Sequence, residues 1–108
     1  MKKLALVILP ALGVIVSSAT LAYARVYGPV IRVEYGTTRI GSDIRPGFPA
    51  SFSSCMDNCA NDPQCRAFTW VTANNQAPNY DNKQPLCWLK NSVPGKRRDR
   101  GMISGVKL

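Results

Sequence analysis

The chain has 108 residues, a net charge of +8, four cysteines and no histidine. That length leaves room for one small domain. The missing histidine excludes Ser-His and Cys-His nucleophile systems and the histidine-containing zinc sites. Hydropathy is near neutral on average, with a mean of −0.10, so the apolar content has to be found in particular segments.

The first segment is the most apolar. A basic Met1-Lys2-Lys3 start is followed by the run Leu4–Thr20 and by the small-x-small site Ala22-Tyr23-Ala24. That order is the pattern of a secretory signal peptide, predicted over residues 1–24. Removal after Ala24 leaves a single domain over residues 25–108, and the loss of Lys2 and Lys3 takes the net charge from +8 to +6. The alternative is an uncleaved membrane anchor, since Leu4–Ala24 approaches the length that spans a bilayer core of roughly 30 Å. The expected location is therefore secreted or periplasmic, with membrane contact only if the segment is retained.

Beyond it, Val30–Tyr35 alternates well enough for a strand, and residues 36–49 carry Gly, Asp and Pro punctuation that predicts a loop. Phe52, Cys55, Met56, Cys59 and Ala60 fall on one face of a 3.6-residue period, which predicts a helix capped by Ser51 or Ser53 and stopped by Asn61-Asp62-Pro63. Gln64–Thr72 reads as a strand with Phe68 and Trp70 on one face and Cys65, Ala67, Thr69 and Val71 on the other. Residues 73–85 read as a long polar loop, Leu86–Lys90 as a short strand, residues 91–101 as a second loop, and Met102–Leu108 as a last strand. The order predicts an α+β fold with one helix laid on an antiparallel sheet.

An even cysteine count in a small exported chain reads as a disulfide framework. The competing zinc reading has little support, because C-x3-C-x5-C-x21-C is not a usual zinc spacing. Cys55 and Cys59 stand one turn apart on the same helix face, where their diverging side chains cannot easily reach disulfide torsion. The chain reverses from Cys59 straight to Cys65, so Cys59–Cys65 is the natural short loop and Cys55 is left for Cys87.

A helix bearing C-x3-C, then Asp62-Pro63-Gln64-Cys65-Arg66-Ala67-Phe68-Thr69-Trp70-Val71, a loop, Cys87-Trp88-Leu89-Lys90 and a terminal Ser104-Gly105-Val106-Lys107 resemble the PAN/Apple domain family, in particular its small bacterial secreted members. Gly41–Ile44 matches the family's Gly-x-Asp turn. The resemblance covers about residues 35–108. It implies a central helix pinned by two disulfides to a curved antiparallel sheet, with the pairing Cys55–Cys87 and Cys59–Cys65. It also implies a non-catalytic module that recognises protein or carbohydrate. Disulfides that tie the termini together in some Apple domains are absent here.

No catalytic constellation stands against that reading. The acidic residues after the signal segment are Glu34, Asp43, Asp57, Asp62, Asp81 and Asp99, and they form no evident carboxylate pair. No enzyme, metal or cofactor is expected. Two predicted loops are the candidate ligand contacts. One carries Tyr80 among Asn74, Asn75, Asn79 and Asn82, and the other carries Lys96, Arg97, Arg98 and Arg100, the chain's densest positive charge. Guanidinium groups suit carboxylate, sulfate or phosphate, so the partner is expected to be an anionic protein face or carbohydrate. The plain alternatives are a polar connector and a solvated charged turn. Nucleic acid is not expected, because export separates the chain from it. An inhibitor or accessory subunit that docks one envelope protein is the alternative function.

Overall fold

A computed structural model describes residues 28–108; the predicted signal peptide, 1–24, lies outside them. The elements are β1 (Ile31–Arg39), β2 (Phe48–Pro49), α1 (Phe52–Asn61), β3 (Ala67–Val71), β4 (Leu86–Lys90) and β5 (Lys96–Lys107). The five strands form one antiparallel sheet in the order β1-β5-β3-β4-β2, and α1 packs on one of its faces. This is the predicted α+β architecture. No described helix is long and apolar enough to cross a membrane.

α1 is ten residues long, below the length at which an isolated helix holds in water, so its stability comes from its ends and its buried face. Ser51 is the N-cap: its hydroxyl accepts the Ser54 amide at 3.1 Å. At the other end the Asp62 amide donates to the Cys59 carbonyl, and the Asp62 carboxylate accepts the Gln64 amide at 2.9 Å. That turn delivers Cys65 to Cys59. The apolar stripe faces the sheet, where Phe52 meets Trp70 edge-on with ring centroids 5.7 Å apart and Phe68 at 6.1 Å.

The disulfides are Cys55–Cys87 and Cys59–Cys65, with Cα separations of 5.5 and 5.2 Å. The four cysteines, Phe68 and Leu89 form the buried cluster between helix and sheet. Cys65 departs from the predicted alternation. It lies in the turn ahead of β3 rather than within the strand, and so points to the helix instead of sharing the face of Ala67. Gly105 is needed in β5 because a Cβ there would run into the Phe68 ring.

Three predicted boundaries are corrected. β1 extends past Tyr35 to Arg39 through a register shift at Gly36 (φ +61°), where Tyr35 pairs with Ile103 but Thr37 pairs with Arg98. The predicted loop at 36–49 therefore contains the end of β1 and the short β2. β5 begins at Lys96 rather than Met102. The alternation signal fails there because the strand's first half is charged and solvent-exposed, and its pairing to Thr37–Arg39 supplies what its side chains do not.

The irregularity lays Thr37–Arg39 over the sheet face opposite the helix. The Arg39 amide donates to Thr69 Oγ1 at 3.2 Å, and Ser104 Oγ donates to the Thr37 carbonyl at 2.8 Å. The bend is fastened by a bidentate pair: Arg39 Nε and Nη2 each reach a different Glu34 oxygen at 2.8 Å, and Arg39 Nη1 donates to the Pro94 carbonyl. Both side chains are over nine-tenths buried. Hydrogen bonding to Arg39 holds the Glu34 carboxyl below the usual range despite the opposing effect of burial, and Glu34 raises Arg39 in turn.

Two outcomes are expected. Replacing Cys55 and Cys87 together by Ala opens a 32-residue separation and is expected to cost roughly 3–4 kcal/mol in urea denaturation, against about 2–3 kcal/mol for the short Cys59–Cys65 loop. Glu34→Gln leaves the Arg39 charge buried without its counter-ion and is expected to cost about 3–5 kcal/mol at pH 7. Glu34 has a folded-state pKa below its unfolded value of about 4.3. Its contribution is therefore complete above that pH and lost as pH falls through the folded value. The gap between wild type and Glu34→Gln in urea midpoint should narrow on acidification, and a gap that is constant with pH would contradict the assignment.

Candidate binding cleft

The sheet face away from α1 is lined by Ala67, Thr69 and Val71 of β3, Leu86, Trp88 and Lys90 of β4, and Met102, Ser104 and Val106 of β5, as strand pairing requires. Two segments wall it. The bent end of β1 stands on one side, and the chain between β3 and β4 on the other. Between them lies a cleft of about 370 Å³, at the small end of the range typical of small-molecule sites.

Its floor mixes Val71, Trp88 and Met102 with polar groups that are internally satisfied. Thr69 Oγ1 and Ser104 Oγ lie 2.9 Å apart, and no buried side-chain nitrogen or oxygen among the described residues lacks a partner. Lys90 is buried and pairs through Nζ with Asp43 at 2.6 Å and with the Gly41 carbonyl at 3.1 Å. The Ile44 amide donates to Leu89, and the Asn91 amide to Ser42. The Gly-x-Asp turn is thus clamped to the end of β4, with Lys90 as the counterpart of Asp43. Opposite-sign residues 47 positions apart give no periodic signal, and Lys90 read simply as the last residue of a strand.

The predicted loop at 73–85 is closely tied rather than a free connector. Asn82 Nδ2 donates to the Thr72 and Gln84 carbonyls, and its Oδ1 accepts the Gln76 amide. Asn75 Nδ2 donates to Thr72 Oγ1 at 2.6 Å, and a Cβ on Gly101 would come within 2.5 Å of the Asn75 side chain. Trp88 Nε1 donates to Gln76 Oε1 at 2.7 Å, while Gly47 packs on the other part of the indole. Asn82, predicted as a ligand hydrogen-bonding group, is spent on the loop itself, whereas Asn75 gives its Nδ2 to Thr72 and Ala73 and still lines the cleft. Tyr80 remains exposed, with its backbone at φ +56° and its amide held by the Gln76 carbonyl. A non-glycine residue in that region is uncommon, and it carries the Tyr80 side chain to the cleft mouth.

The predicted basic loop is the first half of β5, and the strand separates its members. Arg97 reaches the cleft, whose lining it shares with Tyr80, Trp88, Asp99 and Met102. Lys96, Arg98 and Arg100 border a shallow depression with Tyr35 and Thr37, which Arg97 also touches. None of these four cations is in a salt bridge among the described residues. The structure therefore brings Tyr80 and Arg97 to one cleft, although 17 positions and a strand divide them, and leaves the other three cations beside it. Trp88 was missed as a lining residue. Its place opposite Thr69 in the β3–β4 register could have been found from the alternation of β4.

The arrangement offers an aromatic edge, donors on Arg97 and acceptors on Asp43 and Asp99. Among the described residues no group of three or more His, Cys, Asp or Glu is placed to hold a metal, and all four cysteines are in disulfides. No curated protein matches the chain. The PAN domain family pattern matches residues 37–90, from the bent end of β1 to Lys90, and so takes in the helix, both disulfides and most of the cleft. The chain belongs to the PAN domain family.

Proposed function

We propose that the protein is an exported, non-catalytic recognition module that binds an anionic protein face or carbohydrate through the β5 cations and the cleft beside them. PAN domains generally bind protein or carbohydrate, and two disulfides suit an extracellular or secreted setting. The observation that carries the reading is the placing of Arg97, without an ion-pair partner among the described residues, at a cleft shared with Tyr80, while Lys96, Arg98 and Arg100 extend the positive surface outside it. Guanidinium forks recognise carboxylate and sulfate in two-point fashion, and an aromatic at the mouth supplies apolar contact for a sugar ring or side chain. The signal peptide over residues 1–24 would deliver the module across the membrane.

The test uses the exported protein and heparin as a sulfated polysaccharide probe. Arg97→Ser with Arg98→Ser is expected to move thermal stability little, since exposed substitutions usually change it by about 0.5 kcal/mol or less. Heparin affinity should fall at least several-fold. Wild-type affinity should drop as salt rises, because exposed charges are screened beyond about 10 Å at 0.1 M. Salt-insensitive binding that survives the double substitution would overturn the assignment of these cations.

A further inference from the structure

β1 is an edge of the sheet: β5 is its neighbour on one side, and no described strand lies on the other. Hydrogen-bond parity says which of its backbone groups face outward. The Leu108 amide donates to the Val30 carbonyl at 2.8 Å, which continues the register Ile31↔Lys107 by one step. Val30, Arg32 and Glu34 therefore turn their backbone groups toward β5. Ile31, Val33 and Tyr35 turn theirs away from it. The Lys107 amide, opposite Ile31, accordingly donates not to β1 but to Arg66. The edge between Ile31 and Tyr35 has neither proline nor register shift, two of the devices that blunt an edge, and its two charges, Arg32 and Glu34, are of opposite sign. Tyr35 at its end is 73% exposed, and Val30 just ahead of it 65%.

We propose that this edge pairs with the same strand of a second copy, antiparallel about a two-fold axis at Val33. Only registers that bring outward-facing residues together can form the ladder, and the charge pattern chooses among them. Centring the axis on Arg32 sets arginine against arginine, and centring it on Glu34 sets glutamate against glutamate. With Val33 on the axis, Arg32 of each copy lies opposite the other copy's Glu34, and Ile31 lies opposite the other's Tyr35. Opposite charges across a strand pair are favourable and like charges are not. A symmetric partner meets all these conditions with one strand, because an isologous contact uses each residue twice. Arg32 is half exposed and lies 3.8 Å from Glu34 Oε2 within its own strand, so the carboxylate that Arg39 holds still draws a second guanidinium, and across the axis that guanidinium is the other copy's. Five residues of edge pairing fall below the ~1,200 Å² of stable interfaces, so the dimer forms with rising concentration rather than constitutively.

Sedimentation velocity on the exported protein, from micromolar to millimolar concentration, tests this. Wild type is expected to shift from monomer to dimer. Val33→Pro removes an outward amide that the β5 ladder does not use, at the kind of edge position where proline is tolerated. It is expected to remain monomeric with both disulfides formed and wild-type far-UV circular dichroism. Arg32→Glu keeps the amide but sets like charges across the axis, and should weaken dimerisation about tenfold. It serves as the second variant if Val33→Pro fails to fold. A wild type that stays monomeric to millimolar concentration would overturn the proposal. So would a dimer unaffected by Arg32→Glu, which would place the contact on another surface.

Discussion

The Cys55–Cys87 bond joins the middle of a short helix to a central strand, and most of the fold is arranged around that link. A ten-residue helix has little stability of its own, and a domain of this size buries too little apolar surface to hold it by packing alone. The crosslink fixes which helix face meets the sheet and at what depth. Cys59–Cys65 then fixes the direction in which the chain leaves the helix, so β3 enters the sheet with Phe68 and Trp70 under Phe52. With the helix face committed to apolar packing and sulfur, the opposite face is left to other chemistry.

That second face sets Thr69, Ser104 and Lys90 among apolar residues, and part of it is covered by the protein's own backbone. Bending β1 at Gly36 and doubling β5 back on it lays Thr37–Arg39 over Thr69 and Ser104, and the buried Glu34–Arg39 pair holds the bend. A buried ion pair is weak evidence for stability. Here its consequence is positional, because it sets one wall of the cleft and carries the charged half of β5 alongside. The Asp43–Lys90 pair likewise fixes the Gly-x-Asp turn at the C-terminal end of β4.

The helix, its cap as one of two serines, its stop, the fold class and both disulfides were legible because each rests on a local rule. These rules are a 3.6-residue period, a serine ahead of it, a turn that returns Cys59 to Cys65, and the elimination that leaves Cys55 for Cys87. Alternation likewise placed Phe68 and Trp70 on one face. The extension of β5 over Lys96–Arg100 was not legible, since a strand whose side chains are nearly all exposed shows no alternation of burial and its evidence lies in Thr37–Arg39, nearly sixty residues earlier. The cleft was visible only in pieces. Tyr80 and Arg97 were each marked as candidates, but only the register of β3 with β4 and β5 brings them together with Trp88. Asn82 was expected to face a ligand and instead holds its own loop, for the converse reason. A side chain's hydrogen-bonding capacity is evident in the sequence, but whether the backbone nearby consumes it is not.

The central claim is that recognition takes place on the sheet face opposite the helix. Amide and indole chemical-shift mapping on nitrogen-15-labelled protein, titrated with a heparin-derived oligosaccharide, tests it most directly. The expected result is saturable shifts at Tyr80, the Trp88 indole and Lys96–Arg100, with Phe52–Asn61 nearly still. Shifts confined to α1 and the neighbouring Arg45 would contradict it and move the binding surface to the disulfide-pinned face.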